Sequence, residues 1–97
     1  MAISFSDSVK IPDDVLISNL QDESVILNLD NERYYGLDAV GTRILSVLTT
    51  SESIEAAYNT LVQEYDVDGQ ALRRDLIALV EDLVAQGLVK VSNAPEG

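Results

Sequence analysis

The spacing of apolar residues changes once along this chain, and that change constrains the fold more than any other feature. Before Asp38, apolar and β-branched residues come in short runs separated by polar turns, which is typical of β-strands. After Asp38 they recur at intervals of three and four, the spacing of one face of an α-helix. The sequence therefore predicts an α+β fold, with a block of strands followed by a block of helices.

The strand block is predicted to form a three-stranded antiparallel β-meander. The runs VLISNL (15–20) and SVILNL (24–29) flank a short polar turn, which is the pattern of a hairpin. A second polar turn (30–32) leads into a third strand, RYYGL (33–37). Because successive side chains of a strand alternate between its faces, one face of the second strand is predicted to carry Val25, Leu27 and Leu29.

Three helices are predicted after the strands. Asp38 and Asp68 are the expected N-caps of the first and third, because a carboxylate can accept the free N–H groups of a first helical turn. The third helix should run to about Gln86, before Gly87 in the left-handed position that ends many helices. The predicted apolar stripes are Val40, Ile44, Val47 and Leu48, then Ile54, Ala57, Tyr58, Leu61, Val62 and Tyr65, and then Leu72, Leu76, Leu79 and Leu83.

Ninety-seven residues suffice for one domain with one modest core. Residues 1–12 show no clear period and are predicted to be a flexible N-terminal arm. Residues 13–91 form the predicted domain, in which the meander is followed by a three-helix bundle of the winged-helix-turn-helix type and a short extended segment at 88–91. Residues 92–97 are predicted to be a disordered tail.

The composition argues against catalysis. The chain has no cysteine and no histidine, so thiolate and imidazole groups are absent as nucleophiles, bases or metal ligands. Adjacent acidic residues such as Asp13 and Asp14 point in different directions and are expected to be solvated. Ala39 follows Asp38 where an acyl carrier protein would have its modified serine. We therefore predict no catalytic, metal or cofactor site.

The net charge of −11, from 17 acidic and 6 basic residues, limits the possible partners. It disfavours nucleic acid and acidic membranes, and the N-terminal stretch resembles no signal peptide, so the prediction is a cytoplasmic protein. The helix order leaves a winged-helix DNA-binding regulator as the alternative. Its reading helix would be the third, where Arg73 and Arg74 are outnumbered by Asp75, Glu81 and Asp82.

The third helix has a wider apolar arc than one core contact needs. Ile77, Val80 and Val84 form a second stripe about 100° from the leucine stripe, with Arg73 at its N-terminal end. The opposite flank is small or acidic. Either the strands cover the second stripe as well, or it forms one wall of a groove beside the edge of the sheet.

The two adjacent tyrosines suggest where that groove would lie. Tyr34 and Tyr35 must point to opposite faces of a strand, and Tyr35 shares its face with Leu37, so we place Tyr35 on the helix side. A short edge strand beside an apolar helix stripe is what the addition of a peptide as an extra strand requires.

The stretch YYGLDAVGTRILSVL (34–48) resembles a signature of the PqqD-like proteins, Tyr-Tyr-Gly-Leu-Asn-x-x-Gly-x-x-Ile. The similarity continues through EYDVD (64–68) and DLIALVEDLVAQGLV (75–89). This chain departs from the family at Asp38, where asparagine is frequent, and at Leu45, where an aromatic residue is common. The family consists of peptide chaperones named from pyrroloquinoline quinone (PQQ) biosynthesis, and its fold is three strands followed by a winged three-helix bundle.

This resemblance implies a recognition element for ribosomally made, post-translationally modified peptides (RiPPs), without catalytic activity or cofactor. Such a domain binds the leader of a precursor peptide as an extra strand and presents it to a modifying enzyme. The implied enzyme is a radical enzyme in a quinone-cofactor pathway, or a cysteine-protease-like enzyme with a cyclase in a lasso-peptide pathway. The implied peptide-binding residues are Glu32, Arg33, Tyr34, Tyr35, Gly36, Arg73, Ile77, Val80 and Val84.

Two expectations about the helix residues follow from that assignment. Arg73 should pair with an acidic residue of the leader. The substitution Ile77→Asp should weaken leader binding by at least about tenfold, which is about 1.4 kcal/mol, without unfolding the domain.

Overall fold

The computed structural model describes residues 3–92 and confirms the α+β class. The strands β2, β3 and β4 form an antiparallel sheet in that order, and β1 pairs with β5 in a second, two-stranded sheet. No helix within residues 3–92 is long and apolar enough to cross a membrane. The elements are β1 (Ser8–Lys10), β2 (Val15–Leu20), β3 (Glu23–Asn28), β4 (Tyr34–Leu37), α1 (Ala39–Thr50), α2 (Ile54–Glu64), α3 (Gly69–Ala85) and β5 (Lys90–Ser92).

The helices begin at side chains that cap them. The Asp38 carboxylate accepts a hydrogen bond from the Gly41 N–H at the start of α1, and Asp68 does the same for Gln70 at the start of α3. Both N-caps were predicted and are confirmed. Ser53 caps α2 in the same way, since its hydroxyl accepts from the N–H of Ala56.

The end of α3 is fixed by a left-handed glycine. Gly87 has a φ of +74°, which confirms the prediction. Its N–H donates to the Val84 carbonyl at 3.0 Å, and the N–H of Leu88 donates to the Leu83 carbonyl at 2.9 Å. This pair of bonds is the Schellman arrangement, which satisfies carbonyls that the last helical turn leaves free.

The three-stranded sheet packs against the helices with the face of β3 that does not carry the predicted apolar residues. Val25 and Leu27 share a face, as predicted, but that face turns away from the helices and leaves both residues only half-buried. The buried face of β3 consists of Ser24, Ile26 and Asn28. Two of these three are polar, and for that reason the apolar pattern of the strand did not reveal which face lies inside.

The core lies between this inner sheet face and the three helices. Residues with at most 1% exposure come from the sheet, from every helix and from the segment after α3. Val40, which was predicted on the core stripe of α1, is 51% exposed because it lies in the first turn of the helix, beyond the edge of the contact. The largest of the fully buried apolar side chains are Ile26, Leu48, Ile54, Leu61, Leu76, Val80, Leu83 and Leu88.

The predicted flexible arm at 1–12 differs from the structure over its described part. Val9 lies in the core, 2% exposed, and pairs with Val91 in the two-stranded sheet. The carbonyls of Phe5 and Asp7 accept hydrogen bonds from the first N–H groups of α2, at Glu55 and Ile54. Strands of three residues carry too little pattern to be recognised, and their partners lie at the other end of the chain. Of the predicted tail, Ser92 belongs to β5, and residues 93–97 lie outside the described residues.

One buried side chain joins the sheet to the end of α3. Asn28 is 6% exposed, and its amide nitrogen donates to the carbonyl of Gly87 at 2.7 Å. Its amide oxygen accepts from the N–H groups of Asp30 at 2.8 Å and Asn31 at 3.2 Å. The end of β3, the turn that leads to β4 and the residue after α3 are therefore held at one point.

We expect Asn28→Ala to lower the free energy of unfolding by about 1–3 kcal/mol, because it leaves the Gly87 carbonyl without its donor. Urea unfolding followed by circular dichroism measures this change. Asn19→Ala is the matched control, since Asn19 is exposed on β2, and it should change stability by less than about 0.5 kcal/mol. Equal unfolding midpoints for the two variants would contradict this role of Asn28.

Candidate functional site

The strand β4 has one edge without a strand partner among the described residues. The N–H of Asn28 donates to the carbonyl of Arg33 at 2.8 Å, which fixes the hydrogen-bonding phase of the β3–β4 ladder. Because backbone groups alternate in direction along an antiparallel strand, Tyr35 and Leu37 pair with β3. The N–H and C=O groups of Tyr34 and Gly36 therefore point to the free edge.

The two tyrosines lie on opposite faces, as predicted. Tyr34 is 73% exposed on the outer face of the sheet. Tyr35 is half-buried and packs against the core on the same face as the buried Leu37. The prediction that Tyr35 faces the helices is confirmed.

Two side-chain hydrogen bonds bridge β4 and α3. The hydroxyl of Tyr35 donates to a carboxylate oxygen of Asp82 at 2.8 Å. One turn further along α3, Gln86 accepts a hydrogen bond from the guanidinium of Arg33 at 2.9 Å. Helical spacing adds Leu79, which is half-buried, and Asp75, which is exposed, to the same flank.

We name this region the β4–α3 groove. Its strand side is the segment from Glu32 to Gly36, and its helix side is Asp75, Leu79, Asp82 and Gln86. Glu32 begins the strand side with a left-handed backbone, φ +62°, and its N–H donates to the carbonyl of Asn28 at 2.8 Å. This turn leads the chain directly from the end of β3 into the free edge.

The Asp82 carboxylate raises the pKa of Tyr35 above its usual value of 10.0, chiefly by accepting its hydrogen bond. Partial burial of the phenol adds to the increase in pKa, and so does the negative charge of Asp82. The hydroxyl therefore stays protonated and able to donate at every pH below about 10. Around neutral pH the groove presents a neutral phenol beside a carboxylate.

The predicted helix residues of the site face away from β4. The guanidinium of Arg73 lies over the ring of Phe5, 4.0 Å from its centroid, and 5.6 Å from that of Tyr58. Ile77 lines an open hollow of about 810 Å³ together with Ile3 and Phe5. These contacts belong to the N-terminal segment and to α2, not to the sheet edge.

The other two predicted helix residues do not line the groove either. Val80 is 0% exposed in the core, so its side chain is not available to a ligand. Val84 lines a smaller hollow of about 300 Å³ with Ile3. The structure thus brings the five predicted strand residues together and separates them from Arg73, Ile77, Val80 and Val84.

The placement of these four residues away from β4 has a physical cause. The excess apolar arc of α3 is real, but the neighbour of its exposed part is the segment with Ile3 and Phe5, which lines the same hollows. The sequence does not assign Asp82 and Leu79 to the site. Asp82 lies on an acidic flank, which is typical of solvated surface, and Leu79 lies in the leucine stripe that predicts the core face. The helical spacing of Asp75, Leu79, Asp82 and Gln86 does place these residues on one flank of α3. It does not show that β4 is the element beside that flank.

Comparisons with known proteins agree with this architecture. The sequence model of the family described as Coenzyme PQQ synthesis protein D (PqqD) matches residues 23–89. A solved structure of TbiB1 in complex with the TbiA(beta) leader peptide is similar to this chain, with 37% sequence identity and a TM-score of 0.77. The similarity covers 84% of this chain and 94% of that chain. Among curated proteins, none matches.

The raised pKa of Tyr35 gives a test of the groove contact. Because the folded state favours the neutral phenol, the stabilisation is fully present below about pH 10 and is lost as the pH rises through the raised pKa. We expect Asp82→Asn to return the pKa of Tyr35 toward its usual value. An NMR titration of ¹³C-labelled tyrosine in the wild type and in Asp82→Asn measures the pKa of Tyr35. An unchanged pKa in Asp82→Asn would contradict this contact.

Proposed function

The chain belongs to the PqqD family, and from that premise we propose that it binds the leader of a ribosomally made precursor peptide without catalysing a reaction. The main support is the free edge of β4, which lies beside a groove walled by α3. The TbiB1 structure supports the same proposal, since that protein is bound to a leader peptide and is 37% identical to this chain.

In this mechanism the leader becomes a fourth strand of the sheet. The outward N–H and C=O groups of Tyr34 and Gly36 hydrogen-bond to the leader backbone. Side chains on the inner face of the leader enter the β4–α3 groove next to Tyr35. Affinity comes from the ladder together with burial of these side chains, and selectivity comes from the side chains that the groove admits.

The charges of the groove define the leader that fits it best. Asp75 and Asp82 are acidic, and the only cation among the groove residues, Arg33, is held by Gln86. Leu79 supplies an apolar surface between the two carboxylates. The groove is therefore suited to an apolar leader residue with a lysine or arginine close to it. Arg73 is no longer proposed to contact the leader, because it stacks on Phe5.

Binding alone does not modify a peptide, so the bound leader must be presented to an enzyme in the cytoplasm, where precursors are made. Family resemblance suggests a radical enzyme, or a cysteine-protease-like enzyme and a cyclase. The alternative of a DNA-binding regulator gains no support, since the groove flank of α3 is acidic and Arg73 is engaged with aromatic rings.

Proline at position 34 tests strand addition directly. Tyr34→Pro removes an N–H that points to the free edge and leaves the β3–β4 ladder intact. We expect it to weaken leader binding at least about tenfold relative to Tyr34→Ala, which loses the same aromatic ring but keeps the N–H. Fluorescence anisotropy with a labelled leader from the same gene cluster measures both affinities, and circular dichroism checks folding. Equal affinities of these two variants would exclude backbone pairing at this position.

Charge reversal on α3 tests which flank binds the leader. Asp82→Lys should weaken binding at least about tenfold, because it places a cation where the groove is acidic and removes the Tyr35 contact. Glu81→Lys is the matched control, since Glu81 is the adjacent residue and lines the hollow on the other flank. It should change the affinity less than about threefold. We expect the same small change for Ile77→Asp. If Glu81→Lys and Ile77→Asp lose binding strongly and Asp82→Lys does not, the leader binds the flank with Arg73 and Ile77 that the family resemblance implies.

A further inference from the structure

The outer face of the three-stranded sheet is apolar although no element of the described chain covers it. The strand register places Leu16, Leu27 and Tyr34 side by side across this face. Leu16 is 53% exposed and Tyr34 is 73% exposed. Leu20, at the hairpin end of β2, is 60% exposed on the same face. This concentration of large exposed apolar side chains on one face is a feature of interaction surfaces.

A hollow of about 280 Å³ lies at the hairpin end of this face. Its apolar lining consists of Leu20 from β2, Val25 from β3 and Leu37 from β4, and Gly36 of β4 lies beside them. Val25 and Gly36 are directly paired in the sheet. All three strands therefore contribute to one concave surface. Leu20, Val25 and Gly36 belong to the face of the sheet away from the helices, and Ser24 and Leu37 of the inner face complete the lining.

Gly36 has no explanation within the chain itself. Its backbone does not adopt a positive φ, so a side chain would not be strained there. A Cβ atom built at Gly36 would meet nothing within 4 Å. Glycine weakens a strand, and where neither the backbone nor internal packing requires it, it indicates that another molecule approaches closely. The missing side chain keeps the hollow open.

The charges around the hollow indicate what kind of surface fits it. Glu23 and Asp38 line its rim, and Asp22 adjoins it in the hairpin turn. Residues 13–38 contain seven acidic side chains and one basic side chain, Arg33, which is held by Gln86. A second copy of the chain would bring the same carboxylates together, and like charges at an interface disfavour association. A partner with lysine or arginine around an apolar side chain is complementary.

We propose that the hollow at the hairpin end of this face, which we name the β2–β4 hollow, docks the modifying enzyme through an apolar anchor side chain flanked by basic residues. The inference rests on the proposed function, because that function requires a peptide-modifying partner. Leu20 and Val25 of the hollow lie on the outer face of the sheet, whereas Tyr35 of the β4–α3 groove lies on the inner face. One molecule of this chain can therefore hold the leader at the strand edge and the enzyme at the outer face together.

The test uses the purified modifying enzyme encoded in the same gene cluster, with the full-length chain immobilised for surface plasmon resonance. We expect Leu20→Ser to weaken enzyme binding at least about tenfold. Leu29→Ser is the matched control, because Leu29 is 53% exposed and lies at the other end of β3, roughly 20 Å away. It should weaken binding less than about threefold. Glu23→Lys should slow association and reduce its dependence on salt.

Leader binding is measured in parallel, so that a failure of this inference is distinguished from a failure of the proposed function. Leu20 lies on the strand farthest from β4, and Leu20→Ser should bind the leader like the wild type. If the wild-type chain does not bind the leader, the proposed function is refuted. Two outcomes would overturn only the docking proposal while leader binding is normal. In one, Leu20→Ser and Leu29→Ser change enzyme binding equally, and in the other the wild type does not bind the enzyme. A wild-type dimer in sedimentation that Leu20→Ser dissociates would overturn it as well, because the occupant would be a second copy.

Discussion

The arrangement of this protein depends on the buried amide of Asn28. One side chain donates to the Gly87 carbonyl just after α3 and accepts from two N–H groups of the turn between β3 and β4. The turn sets where β4 begins, and the end of α3 sets where the helix flank lies. These contacts of Asn28 thus help to fix the distance between the edge of β4 and α3, and this distance defines the groove. Because they are buried hydrogen bonds, breaking them costs free energy of folding.

The N-terminal segment lies next to Arg73, Ile77 and Val84, the helix residues that the sequence assigns to the site. Sequence patterning places an excess of apolar surface on α3, and that surface needs a cover. In the structure Ile3 and Phe5 lie alongside it and line the same hollow, with Arg73 stacked over the Phe5 ring. If residues 1–12 are interpreted as a flexible arm, no element is expected beside this apolar stripe of α3. The stripe is then interpreted as part of the peptide-binding site. The two differences from the prediction therefore have one origin.

Much of the fold follows from local chemistry, because caps and periods act over a few residues. Asp38, Asp68 and Gly87 end or begin helices where the sequence predicts. The strand side of the candidate site could also be predicted, since strand parity separates Tyr34 from Tyr35. The two-stranded sheet of β1 and β5, the inward face of β3 and the contact between Tyr35 and Asp82 could not be predicted. Each depends on residues far apart in sequence, and no local period encodes them.

The central claim is that a leader extends the sheet at the edge of β4, and amide hydrogen exchange measured by NMR tests it most directly. In the free protein the amides of Tyr34 and Gly36 face the open edge, whereas those of Tyr35 and Leu37 are paired with β3. The account predicts that a saturating leader peptide slows exchange at Tyr34 and Gly36 strongly, while Tyr35 and Leu37 are already protected. Saturation of the protein with no added protection at Tyr34 and Gly36 would show that the leader binds elsewhere.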